Sequence, residues 1–118
     1  DEEAFAIVVS NLLENAVKYG GTIPRIRVRL HTADHRAILE VGDNGRGVSP
    51  ADVPFVFDRF FRGGDEMTRT TQGTGLGLYL VREIVRAHGG GVIVARTSSD
   101  GTVFRVVLAG AEVEEERA

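Results

Sequence analysis

Glycine cuts this chain into its elements. Gly20-Gly21, the run Asp43 to Gly47, the glycine-rich stretch 62 to 75 and Gly89-Gly90-Gly91 separate segments of clear hydrophobic period. A residue without a Cβ ends a helix or opens a turn at little steric cost. Before the first break, Phe5, Val8, Val9, Leu12, Leu13 and Ala16 recur at helical spacing, with Phe5, Val9 and Leu13 marking the buried side. Ile26, Val28 and Leu30 then alternate with Arg25, Arg27 and Arg29, a strand with one wet face. His31 to His35 form a polar turn, and Ala37 to Val41 return as the second strand of a hairpin. Ser49-Pro50 reads as the start of a short helix leading to Phe57–Phe61. Leu76, Leu80 and Ile84, with Val81 and Val85, make a second amphipathic helix. Val92 to Ala95 and Val103 to Leu108 close the chain as a hairpin around Ser98 to Gly101. This order predicts a two-layer α/β sandwich, with helices on one face of a mixed, mostly antiparallel sheet.

With 118 residues, the chain is the size of one domain. A net charge of −3 gives no electrostatic grip on a nucleic-acid backbone. The absence of cysteine excludes disulfides and thiolate metal sites. No apolar run approaches the roughly 20 residues that span a bilayer. The opening Asp-Glu-Glu is acidic where a signal peptide is basic, and the chain starts at once on helix-like sequence, as a piece of something longer would. Residues 111 to 118 are acidic, with no apolar partner set, and are expected to be a disordered tail after a domain spanning 1 to 110.

Four local signals carry chemistry. Asn11, Asn15, Lys18 and Tyr19 fall at i, i+4, i+7 and i+8 of the first helix and share a face. Two amides, an ammonium and a phenol suit Mg²⁺ and polyphosphate, and the bland alternative is a solvated helix face. Asp43, Asn44, Gly45, Arg46 and Gly47 follow a strand: the glycines admit a flat ligand and the aspartate accepts from an exocyclic amine, unless this is a plain turn. Gly73, Thr74, Gly75, Leu76 and Gly77 open a helix whose free N–H groups and dipole attract phosphate, unless they are a hinge. The Rossmann and Walker patterns are both absent. Phe57, Phe60 and Phe61, with Arg59 and Arg62, either pin a loop while an arginine reaches phosphate or simply pack in the core.

In this order and at these gaps the four signals resemble the boxes of bacterial sensor histidine kinases. NLLENAVKYG resembles the N box, DNGRG the first glycine box, FDRFFRG the F box and GTGLGL the second glycine box, and EIVRAHGG fits the helix that follows. The resemblance covers residues 5 to 108. It implies the Bergerat ATP-binding fold and a catalytic domain that takes Mg-ATP and transfers the γ-phosphate to a histidine on a separate dimerisation domain, upstream of a response regulator.

Residue by residue, it implies that Asn15 ligates Mg²⁺, and that Asn11 and Lys18 stand at the phosphates. Tyr19 would pack near adenine and ribose, and Asp43 would accept a hydrogen bond from the adenine amine. Gly45 and Gly47 would shape the adenine pocket, and Arg62 would contact phosphate. Gly73, Thr74, Gly75, Leu76 and Gly77 would close the phosphate side of a lid running from Asp58 to Thr74. The catalytic set is thus Asn11, Asn15, Lys18 and Arg62. ATPases of the same fold generally carry a glutamate where Asn11 stands; an amide takes no proton at neutral pH, which disfavours hydrolysis. Glu14 points about 60° away around the helix. The alternatives are such an ATPase, or a nucleotide-binding module without kinase activity. His31, His35 and His88 do not fit the acceptor pattern; His31 and His35 read as solvated and His88 as a helix-end residue. The implied setting is a cytoplasmic, monomeric domain without direct membrane contact, in a parent anchored in the bacterial inner membrane.

Overall fold

The computed structural model describes residues 2–61 and 76–109, with only the backbone of Ala109. The elements run α1 (Glu2–Tyr19), β1 (Arg27–Ala33), β2 (Arg36–Asp43), a 3₁₀ turn (Val53–Phe55), α2 (Gly77–Ala87), β3 (Gly91–Ser98) and β4 (Gly101–Ala109). The strands form one sheet of order β1-β2-β4-β3, and all three pairings are antiparallel, within the mostly antiparallel sheet expected.

The core lies between the helices and one sheet face. Val8, Leu12 and Ala16 of α1 and Val81 and Val85 of α2 meet Leu39 and Val41 of β2 and Phe104 and Val106 of β4. The buried stripe of α1 is therefore Val8, Leu12 and Ala16, rotated from the side that Phe5, Val9 and Leu13 mark. Those three only flank the core and line an open apolar groove with Val17. On α2, likewise, Val81 and Val85 are fully buried while Leu80 stays exposed. Truncating a buried leucine such as Leu12 would cost about 2–5 kcal/mol.

β1 is an edge strand, and its alternation shields less than its pattern promises. Val28 and Leu30 pair with Val41 and Leu39 on the helix-facing side, yet both remain exposed. β1 also runs further than its sequence suggests, through His31 to Ala33, leaving Asp34-His35 as the turn. Both turn residues have positive φ, 53° and 61°, the conformation a two-residue type I′ hairpin requires. His31 is half-buried in the strand rather than solvated in a loop, and its ring Nδ1 is buried without a hydrogen-bond partner among the described residues. On the open face of the sheet, Arg105 Nε donates to Glu40 across the β2–β4 pair at 2.7 Å, and Arg29 approaches the same carboxylate at 3.8 Å. Arg105 chiefly, through that hydrogen bond, holds the Glu40 carboxyl below its ordinary value.

Ser49-Pro50 opens no α-helix. The Ser49 carbonyl accepts the amides of Asp52 and Val53, and Pro54 lies at the start of a single 3₁₀ turn. The aromatic segment beyond it is fixed from several sides. Phe57 meets Phe104 edge-on at 5.9 Å, Phe61 flanks the core, and Asp58 approaches Arg82 of α2 at 3.6 Å. Phe60, at positive φ, turns outward under the Arg59 guanidinium. No helix among the described residues is long and apolar enough to cross a membrane.

Candidate functional site

The candidate site forms where α1 passes the turn after β2 and the first residue of α2. Near the middle of α1, Asn11 and Asn15 flank the core stripe, half-buried, on the side away from the apolar groove. Asn11 Nδ2 donates to the Ile7 carbonyl at 2.9 Å, which fixes the amide and turns its oxygen toward the first residue of α2. A Cβ at Gly77 would lie 3.1 Å from Asn11 Oδ1. Among the described residues no side chain caps the start of α2, where Leu76 stands at the N-cap; amides at such a helix end attract anions. Lys18 lies exposed in the last turn of α1, beside half-buried Tyr19.

At its other end, α1 abuts the turn after β2. A Cβ on Gly45 would stand 1.8 Å from the Tyr19 carbonyl oxygen, so only glycine lets the turn seat against the helix. Gly47 has φ +85°, and a Cβ there would stand 2.1 Å from the Ser98 carbonyl oxygen, so the turn seats against the end of β3. These two glycines bring protein backbones together at the end of β2. Asp43 is held between them and β4: its Oδ1 accepts the Gly45 amide at 2.8 Å, and the Thr102 amide also serves its carboxylate. Burial pushes the Asp43 carboxyl above its ordinary value, and the two N–H donors only partly offset this.

Three residues assigned no individual role from the sequence brace these elements. Asn44 binds the loop between α1 and β1 through three backbone hydrogen bonds. Thr97 Oγ1 accepts the Val48 amide at 2.8 Å and lies 2.9 Å from the hydroxyl of buried Thr102. Thr97 reaches that position because β3 bulges between Val94 and Arg96, shifting the alternation so that Thr97, not Arg96, pairs with Thr102. A bulge leaves no mark in hydrophobic periodicity; the only available signal was a threonine pair flanking a tight hairpin.

Asn11, Asn15, Lys18, Tyr19, Asp43, Gly45, Gly47, Leu76 and Gly77 thus fall on the last three turns of α1, the turn after β2 and the start of α2, elements that pack against one another. Arg62, Gly73, Thr74 and Gly75 lie outside the described residues, as do most of the Asp58–Thr74 lid and the 111–118 tail. His88 ends α2, its Nδ1 2.8 Å from the Ile84 carbonyl, in the helix-end role expected of it.

A family model described as histidine kinase-, DNA gyrase B-, and HSP90-like ATPase matches residues 1–112. The Escherichia coli sensor protein KdpD is 41% identical over 92% of this chain, which spans 12% of that protein. The mycobacterial sensor histidine kinase MprB superposes with a TM-score of 0.78 at 35% identity, over 92% of this chain and 73% of that one. Full-length ShkA, solved in complex with AMPPNP, superposes equally well, with a TM-score of 0.78 at 28% identity, over 92% of this chain and 22% of that one. The chain belongs to the histidine kinase-, DNA gyrase B- and HSP90-like ATPase family, and within it to the sensor histidine kinases.

Proposed function

We propose that this domain binds Mg-ATP and donates the γ-phosphate to a histidine on a separate dimerisation domain of a longer protein, which passes it to a response regulator. The observation that carries this reading is the double contact of α1. Asn11 faces the start of α2 at one end, and Tyr19 backs onto Gly45, two residues from Asp43, at the other. The two ends are about 12 Å apart along the helix, a span suited to a nucleoside triphosphate. Phosphates would then lie at Asn11, Lys18 and the opening amides of α2, with Arg62 and the glycines 73 to 77 closing over them. Adenine would lie at Asp43 and Tyr19.

The donor set also fits Mg²⁺. No group of three or more histidine, cysteine or acidic side chains that could hold a metal ion occurs among the described residues. A half-buried amide oxygen on Asn15 instead suits a hard cation that takes its remaining ligands from water and phosphate. The bound metal would neutralise phosphate charge. The protein's part is to orient the triphosphate and to exclude a general base: Asn11 takes no proton, and Glu14 on the same helix is exposed and aimed elsewhere. Hydrolysis is thereby disfavoured relative to transfer to a nucleophile brought by another domain. A cytoplasmic, monomeric domain over residues 1 to 110, within a membrane-anchored parent, fits this role.

Incubating the chain with γ-labelled Mg-ATP and a separately produced dimerisation domain bearing a phosphoacceptor histidine tests the proposal. Acid-labile, base-stable label on the added domain, and none on this chain, is expected. Label released only as inorganic phosphate would make the domain an ATPase. Binding without any transfer or hydrolysis would leave a nucleotide-binding module.

A further inference from the structure

Between α1 and β1 the chain runs through residues 20–26 without regular structure, and one side chain gathers that loop. Asn44 Oδ1 accepts the amides of Gly21 at 3.1 Å and Arg25 at 2.9 Å, and its Nδ2 donates to the Ile23 carbonyl at 3.1 Å. Two N–H donors on the oxygen and one carbonyl acceptor on the nitrogen fix the amide's orientation, and an amide side chain serves both kinds of partner at neutral pH. The packing is as close as the bonding. A Cβ on Gly21 would stand 3.1 Å from the Asn44 carbonyl oxygen, and one on Gly101 would stand 3.1 Å from Asn44 Cα. Asn44 is therefore wedged between the loop and the β3–β4 hairpin.

Its sequence neighbours give this clamp a consequence. Asp43 precedes Asn44, and the loop it holds begins directly after Lys18 and Tyr19. We propose that Asn44 is a positioning residue for nucleotide recognition. By fastening the loop after α1 to the end of β2, it holds Tyr19 and Asp43 in the mutual placement that selects adenine. This rests on the nucleotide site proposed above.

The test compares Asn44→Ala and Asn44→Asp with the parent chain by two readouts: amide hydrogen exchange at Gly21 and Arg25, and the ratio of ATP to GTP affinity by calorimetry, each variant first checked for a native amide spectrum. In Asn44→Ala both amides should exchange at least about tenfold faster, and the ATP:GTP ratio should fall by about tenfold, the factor that ~1.4 kcal/mol gives. Asn44→Asp keeps an acceptor for both amides but loses the donor to Ile23 and sets a carboxylate oxygen against that carbonyl, so it should restore most of the slow exchange and part of the selectivity. Unchanged exchange in Asn44→Ala would overturn the clamp. Faster exchange with the parent's selectivity intact would overturn the positioning role, leaving a loop fastener and nothing more. A parent chain that binds no ATP would sink the nucleotide reading and this role with it, while the exchange data would still report on the clamp separately. Should Asn44→Ala fail the spectral check, Asn44→Asp decides alone: loss of selectivity with both amides still protected contradicts the proposal.

Discussion

Asn11 aims its amide oxygen at Gly77, so closely that a Cβ at that glycine would lie 3.1 Å from it. The contact crosses from the middle of α1 to the first residue of α2 and gives the start of the second helix its neighbour. Substituting Gly77→Ala separates the two roles a glycine can have here. As the first residue of a helix, alanine should stabilise the fold by about 0.4–1 kcal/mol through the unfolded chain. The same methyl must displace the Asn11 amide, which its bond to Ile7 restrains. With that gain set against the cost of moving the amide, the variant should stay within about 1 kcal/mol of the parent in stability and bind ATP several-fold more weakly. Equal ATP affinity would mean that Asn11 has no part in holding phosphate.

Gly45 predicts the opposite pattern. A Cβ there would meet the Tyr19 carbonyl oxygen at 1.8 Å, and backbone cannot swing aside as a side chain can. Gly45→Ala should therefore destabilise the domain by about 1–3 kcal/mol, as overpacked sites do, with the last turn of α1 displaced. Chemical denaturation measures the loss. A variant as stable as the parent would show that α1 and the turn after β2 are not packed as described.

Asp43 gives a pH signature. Its carboxyl is raised above the ordinary value of 3.8 chiefly by burial. The folded protein thus holds this proton more tightly than the unfolded chain does. The cost of ionising it is absent below the unfolded value and develops as pH rises through the higher folded value. Asp43→Asn removes that cost, so its stability relative to the parent should rise as pH climbs from the ordinary carboxylate value through the higher folded one. A flat or falling difference in thermal melts would contradict the burial described. The same variant presents an amide donor where an adenine amine needs an acceptor, and should lose preference for ATP over GTP in competition binding.

Much of this was legible in the sequence because its signals are local. Helical period placed α1 and its asparagine face, glycines placed the breaks, and the four boxes in series placed the family. What escaped depends on contacts between distant segments. Val28 and Leu30 alternate like a buried strand, but nothing in their pattern reveals that β1 lies at an edge. Phe5, Val9 and Leu13 have the period of a core stripe, yet Val8, Leu12 and Ala16, about 60° round the helix, face α2 and the sheet. Asn44 reads as an ordinary turn residue until its three partners, 19 to 23 positions earlier, are brought beside it. Thr97 joins Thr102 only through a bulge that hydrophobic period does not record.

The central claim is a nucleotide site built on α1 between two glycine motifs, and calorimetric titration of the chain with ATP tests it most directly, with and without Mg²⁺ and with GTP as control. Adenine-selective binding strengthened by Mg²⁺, and losing that metal dependence in Asn15→Ala, is the predicted result. A folded chain that binds neither nucleotide, or binds both equally whether or not the metal is present, would contradict it.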